Sequence, residues 1–169
     1  MTKGKQRTIQ GLRERIVIAR PDAYKAAVQA LLEVKSSHFC GAGDSAAICQ
    51  LYYFKFHRGG LPASAQQDAV MQLIEASNQG PGDVAIAISY EGKSRTVVNA
   101  MRVAKERGAT VICITKMSKS PLLKLSDINL FIATSDVTVG KDIVARRMAE
   151  QMIVDTLYLT LLFRFEKAY

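Results

Sequence analysis

The 169-residue sequence has no tryptophan, two histidines, three cysteines and four prolines. It also has no long hydrophobic run. The longest charge-free apolar stretch near the C-terminus is Thr156 to Phe163. Eight residues cannot cross a ~30 Å hydrocarbon layer that needs about 20, so no membrane span is expected. The basic residues at the N-terminus have no apolar segment behind them, which argues against a secretory signal. The cysteines do not pair evenly, and each sits among apolar neighbours: His-Phe-Cys40-Gly, Ala-Ile-Cys49-Gln and Val-Ile-Cys113-Ile. None has a second cysteine or a histidine at metal-ligand spacing, so buried reduced thiols and a cytoplasmic location are expected. What is present is ordinary for a globular domain: 49% hydrophobic and 22% charged residues. That balance excludes a disordered or fibrous chain, and a single domain of this length buries a core without staples.

The formal charge of +8 invites a nucleic-acid reading. Its distribution points elsewhere. Residues 1–20 carry Lys3, Lys5, Arg7, Arg13, Arg15 and Arg20 against Glu14 alone. From residue 21 onward, 17 basic residues face 14 acidic ones. The excess therefore belongs to a basic leading segment, or linker remnant, over 1–20. It can be a solvated end or a contact for phosphates and acidic partners.

From residue 21 to 169 the chain reads as one domain in which short β-rich runs alternate with helix-period stretches. Pro21 and Asp22 suit the first turn of a helix to about Glu33. Strand runs are expected at Ser37–Cys40, near Leu61–Ala65, and at Val84–Ile88, Val111–Ile114 and Asn129–Ile132. Helices are expected at Ser45–Phe56, Gln66–Ala76, 93–107, Pro121–Leu125 and Lys141–Phe165. Val84–Ile88 is apolar throughout, as in a strand covered on both faces. Val111 follows Val84 by one strand–helix–strand unit. The final helix is apolar over a wide arc, so a second face is expected to meet another subunit. The pattern predicts an α/β fold with a five-stranded parallel sheet and a long C-terminal helix. Chemistry on such sheets lies beyond the C-terminal strand ends.

Two loops at such ends stand out. Gly41-Ala42-Gly43-Asp44-Ser45-Ala46 would allow close backbone approach to an anion at a helix start. It reads literally as a dinucleotide fingerprint, with Asp68 downstream where a ribose-binding acid would sit. It reads equally as a tight turn in which Asp44 or Ser45 caps the next helix. The second loop, Ser89-Tyr90-Glu91-Gly92-Lys93-Ser94-Arg95, would ring a phosphate with hydroxyls and with backbone N–H groups around Gly92, and Lys93 and Arg95 add positive charge. A dinucleotide gives no reason for two anion-friendly loops; a monophosphate does.

These loops, together with Pro81-Gly82-Asp83 leading into Ile86–Ile88, Gly108-Ala109-Thr110-Val111 through Thr115, Ser120-Pro121-Leu122 and Leu125-Ser126-Asp127, resemble the SIS (sugar isomerase) phosphosugar-binding domain over about residues 25–163. Gln67-Asp68-Ala69, and Arg147-Met148-Ala149-Glu150-Gln151 running into Val154-Asp155-Thr156-Leu157, are most similar to the C-terminal domain of RpiR-type transcriptional regulators. The resemblance implies a flavodoxin-like three-layer sandwich and homodimers or homotetramers with sites near the subunit boundary. The ligand-binding set it implies is Gly43, Asp44, Ser45, Ser89, Tyr90, Glu91, Gly92, Lys93, Ser94 and Lys116, with no cofactor and no metal.

Three positions depart from the family pattern. Glu91 replaces a serine in the phosphate loop, Val70 stands where a histidine is common, and Lys116 replaces a small polar residue. A carboxylate ~4 Å from a phosphate costs about 4 kcal/mol per charge pair at an effective dielectric of 20. Lys93 would offset it, Glu91 would turn outward, or Lys116 would compensate as a phosphate or hydroxyl contact.

Isomerisation of a sugar phosphate needs a positioned base. His38 lies inside a strand run, and His57 at a helix end suits a C-terminal cation. Glu91 and Glu150 remain, the latter expected to face solvent or a subunit boundary. The leading expectation is a sensor domain that binds a sugar phosphate without turnover, with DNA contacted only through a helix-turn-helix domain absent from this sequence. A stand-alone aldose–ketose isomerase of the phosphohexuloisomerase or phosphoheptose isomerase kind is the alternative. A dimerisation module with its site closed by Glu91 is the third.

Overall fold

A computed structural model describes residues 20–132 and 144–166. The elements, in chain order, are α1 (Pro21–Leu32), β1 (Ser37–Gly41), α2 (Asp44–Arg58), β2 (Ala63–Ala65), α3 (Ala69–Ser77), β3 (Val84–Ile88), α4 (Arg95–Glu106), β4 (Thr110–Lys116), α5 (Pro121–Leu125), β5 (Ile128–Ile132) and α6 (Val144–Glu166). The basic segment over residues 1–19 lies outside the described residues.

The five strands form one sheet in the order β2-β1-β3-β4-β5. Every pairing is parallel. Alternation along the strands divides the core by size. Phe39, Ile86, Ile88, Ile112 and Ile114 project to one face and pack with Leu31 of α1, Tyr52 and Phe56 of α2, and Val154, Leu157 and Leu161 of α6. Cys40, Ala85, Ala87, Val111 and Cys113 project to the other and meet Ala76 of α3, Val97 and Met101 of α4, and Leu122 of α5. The result is the expected three-layer α/β sandwich, with small side chains allowing α4 to lie close to the sheet.

The boundaries shift where capping chemistry intervenes. The helix expected from Gln66 starts at Ala69, because Asp68 caps it: the Asp68 carboxylate accepts the N–H groups of Val70 (2.9 Å) and Met71 (3.0 Å). This corrects the reading of Asp68 as a ribose-binding acid; its carboxylate is committed to a helix end. The caps expected from Asp44 or Ser45 are likewise replaced by Gly43, which stands at the α2 N-cap with φ of 59°. β4 runs to Lys116 rather than stopping at Ile114, which places Lys116 on a strand end. Among the described residues, no helix is long and apolar enough to cross a membrane.

Candidate functional site

The chain leaves β1 for β2 on one side and returns to β3 on the other, so the strand order reverses between β1 and β3. Gly41 pairs with Ile88, and Ile88 with Ile114, so the loops that follow β1 and β3 emerge side by side. A crevice at this point is where parallel sheets place ligands.

The first loop is two residues long. Gly43 turns the chain with positive φ, and its carbonyl accepts the Ala46 N–H at 3.0 Å. Ser45 is buried in the first turn of α2, while Asp44 is exposed and 3.8 Å from Arg147 of α6. The loop is clamped from below by a residue that the motifs did not reveal. Gln72 of α3, 2% exposed, donates to the Gly41 and Gln66 carbonyls at 2.8 Å each and accepts the Cys40 thiol at 2.6 Å. Its only sequence signal is polarity on the stripe shared by Ala69 and Ala76.

The second loop folds on itself. Gly92, at φ 64°, donates its N–H to the Ser89 carbonyl at 3.1 Å, so this donor is held inside the loop. The Tyr90 carbonyl accepts from Lys116 N–H (3.0 Å) and from the Thr115 hydroxyl (2.9 Å), which ties the loop to the end of β4. The Gly92 carbonyl accepts the Leu122 N–H at 3.3 Å, which ties it to α5. Ser89 is buried. Ser94 stands at the N-cap of α4 without a capping hydrogen bond, its hydroxyl 3.1 Å from that of Thr96. The N–H groups of the first helical turn have no partner within the helix and suit an anion. Lys93 is exposed and supplies a nearby cation. The buried hydroxyls of Thr115 and Ser120, absent from the expected ligand set, form the floor of this loop.

Glu91 and Lys116 form an ion pair at 2.6 Å, with the ammonium 5.3 Å from the centroid of the Tyr90 ring. The residue that meets Glu91 is thus Lys116, from the neighbouring strand.

The remaining candidates lie elsewhere. His38 is 1% exposed, with Nδ1 3.0 Å from the Ser64 hydroxyl and 3.7 Å from Glu75; burial pushes its pKa down, against the pull of Glu75. His57 is exposed near the end of α2. Glu150 is 1% exposed, which corrects its expected solvent or subunit-facing place: the fold of a single chain covers it. Burial, and then the charges of Cys40 and Glu150, push the Cys49 thiol well up, and Cys49 packs beneath Gly41. No group of three or more His, Cys, Asp or Glu that could hold a metal occurs among the described residues.

A parallel α/β sheet in the order 2-1-3-4-5, with paired loops over its point of reversal, defines a doubly wound α/β domain. Within that class the chain belongs to the SIS domain family, whose model matches residues 30–163. It is 35% identical over 150 residues to an uncharacterised HTH-type transcriptional regulator of Caldanaerobacter subterraneus, covering 89% of this chain and 53% of that protein. It is 33% identical over 120 residues to the HTH-type transcriptional regulator RpiR of Escherichia coli K12, covering 71% of this chain and 40% of that one. Among solved structures, the Vibrio vulnificus NanR protein complexed with ManNAc-6P superposes with a TM-score of 0.88 at 22% identity, over 97% of this chain and 62% of that one. The chain therefore spans about half the length of the first relative or less of the second.

Proposed function

We propose that this domain binds a sugar phosphate in the crevice over β1 and β3, without turnover, as the effector-sensing part of an RpiR-type transcriptional regulator. The observation that carries the reading is the side-by-side emergence of two glycine-turned loops, each leading into a helix start. Around them stand Ser45, Ser89 and Ser94, with Lys93 and Lys116 as cations. DNA contacts would belong to a helix-turn-helix part outside this chain. The ligand would act by favouring one arrangement of subunits over another, to the extent that it binds the two differently. Leu159 and Phe163 on α6, with Leu51 and Phe54 on the adjoining α2, remain exposed. They suit the face through which a homodimer or homotetramer would form.

A thermal-shift screen tests the reading. The panel is hexose and pentose phosphates, N-acetylmannosamine 6-phosphate included, with the unphosphorylated sugars as controls. A ligand at 100 times its dissociation constant adds about 2.7 kcal/mol, a shift of roughly 5–11 °C for a domain of this size. A shift confined to phosphorylated sugars is the expected result; none with any member overturns it. One observation favours a second reading, isomerase activity: Glu150 is a buried carboxylate whose charge reaches Cys49, the residue packed beneath Gly41. Turnover of a sugar phosphate, lost in Glu150→Gln, would establish it.

A further inference from the structure

Resting on the sugar-phosphate reading above, we infer that Glu91 is a built-in competitor for the ligand's phosphate, and that it sets the affinity of the site. Its carboxylate holds the Lys116 ammonium at 2.6 Å, so a phosphate that takes Lys116 must share it with Glu91 or displace that carboxylate.

The pair is held in place by backbone. Glu91 follows Tyr90, whose carbonyl is bonded to the Lys116 N–H and to the Thr115 hydroxyl. Gly92, next in the chain, is pinned by its bonds to Ser89 and Leu122. The two side chains therefore meet because the loop and the strand end are already joined. The pair is also open to exchange. Its side chains are 28% (Lys116) and 49% (Glu91) exposed, and a partly solvated ion pair gains little over separated, hydrated ions. A phosphate dianion offers the same ammonium twice the charge.

The rest of the loop makes Lys116 worth recruiting. The Gly92 N–H is already spent on Ser89, which leaves the first turn of α4, the serine hydroxyls and Lys93 to meet the phosphate. Arg95 at the helix start is a second exposed cation and the part-exposed Lys116 a third; a phosphate that shares the Lys116 ammonium finds Glu91 on the same short loop. Binding thus shares or exchanges one ion pair and retains a residual repulsion. The consequence is a weakened site, tuned to effector concentrations well above those a serine at this position would report.

The test compares the wild-type domain with Glu91→Gln and Glu106→Gln by calorimetric titration with the phosphorylated sugar that gives the largest thermal shift, its unphosphorylated counterpart and inorganic phosphate. Glu106 lies at the far end of the 12-residue helix α4, ~16 Å along the axis from the loop. Its removal changes net charge equally without touching the site. Glu91→Gln is expected to tighten sugar phosphate and inorganic phosphate about tenfold each. It should leave the unphosphorylated sugar unchanged and steepen the salt dependence; Glu106→Gln should do none of these. Equal or weaker phosphate binding by Glu91→Gln overturns the inference while leaving the sugar-phosphate reading intact. Binding by Glu91→Gln alone upholds it and overturns sensing by the wild-type chain. Binding by neither form overturns both.

Discussion

Alanine at position 92 should destabilise the domain by about 2–6 kcal/mol, and the structure separates that figure into parts. Gly92 sits at φ 64°. A side chain there costs roughly 1–2 kcal/mol for left-handed backbone. A Cβ would also overlap the Ser120 hydroxyl, and would lie 2.8 Å from Ser120 Cβ and 3.2 Å from the Thr115 hydroxyl. Ser120 cannot swing into solvent: it is 5% exposed and caps α5 through the Leu123 N–H at 3.4 Å. Displacing it loses about 0.5–2 kcal/mol of capping and adds packing strain of a similar size. Gly60 provides the control. Its φ is 77° just past the end of α2, but no heavy atom lies within 4 Å of the Cβ position, so Gly60→Ala should cost only the backbone contribution of roughly 1–2 kcal/mol. Urea denaturation at a common m-value measures both. Gly92→Ala should exceed Gly60→Ala by about 1–4 kcal/mol, a further melting loss of roughly 2–16 °C. Equal costs would refute the close approach of Ser120, and a Gly92→Ala variant within about 0.5 kcal/mol of wild type would refute the whole account.

Two further expectations concern the core. Burial pushes the Cys40 and Cys113 thiols up to about 12, from 9 when unfolded. Between those values the unfolded chain loses protons that the folded chain keeps. Stability is therefore complete below about pH 9 and falls above it, by about 1.4 kcal/mol per pH unit per thiol. Cys113→Ala should remove close to one proton's worth of that slope in urea midpoints between about pH 9.5 and 10.5 and leave the midpoints below about pH 8 without slope from this thiol, and an unchanged slope would count against burial as the cause. Tyr52 is fully buried and donates its hydroxyl to the Gln151 carbonyl at 2.6 Å, joining α2 to α6. Tyr52→Phe should cost about 1 kcal/mol, a melting loss of roughly 2–4 °C; no loss would show that this bond contributes nothing net.

The sheet was legible because its cues are local. Val84–Ile88 is apolar at every position and is buried at every position. The stripe Val97, Val98, Met101 and Ala104 is buried in α4 as its spacing requires. The role of Asp68 was not legible, because a carboxylate after a short strand suits a ribose in a literal fingerprint and equally a helix cap. Only the position of the Val70 and Met71 N–H groups decides between them. Glu150 was misread because a charged residue on a long amphipathic helix is ordinarily solvated, and the helix's rotation against its neighbours is not written in its own period. Gln72 escaped notice because the value of a buried amide lies in partners six and 31 residues away.

The sequence by itself determined that this chain folds as alternating strands and helices, where its glycine turns fall, and which loops follow buried strands. Backbone period and apolar burial act over a few residues, so a linear pattern carries them. The tertiary structure alone decided that β1 and β3 are neighbours, that Lys116 rather than Lys93 meets Glu91, and that Thr115 and Ser120 lie under Gly92. The strand pairing joins residues 47 apart in the chain (Ser37 with Val84), and the loop contacts join residues 23 to 28 apart (Gly92 with Thr115 and Ser120). They exist because parallel strands pair in one register, and register is set by the packing of whole helices on the sheet.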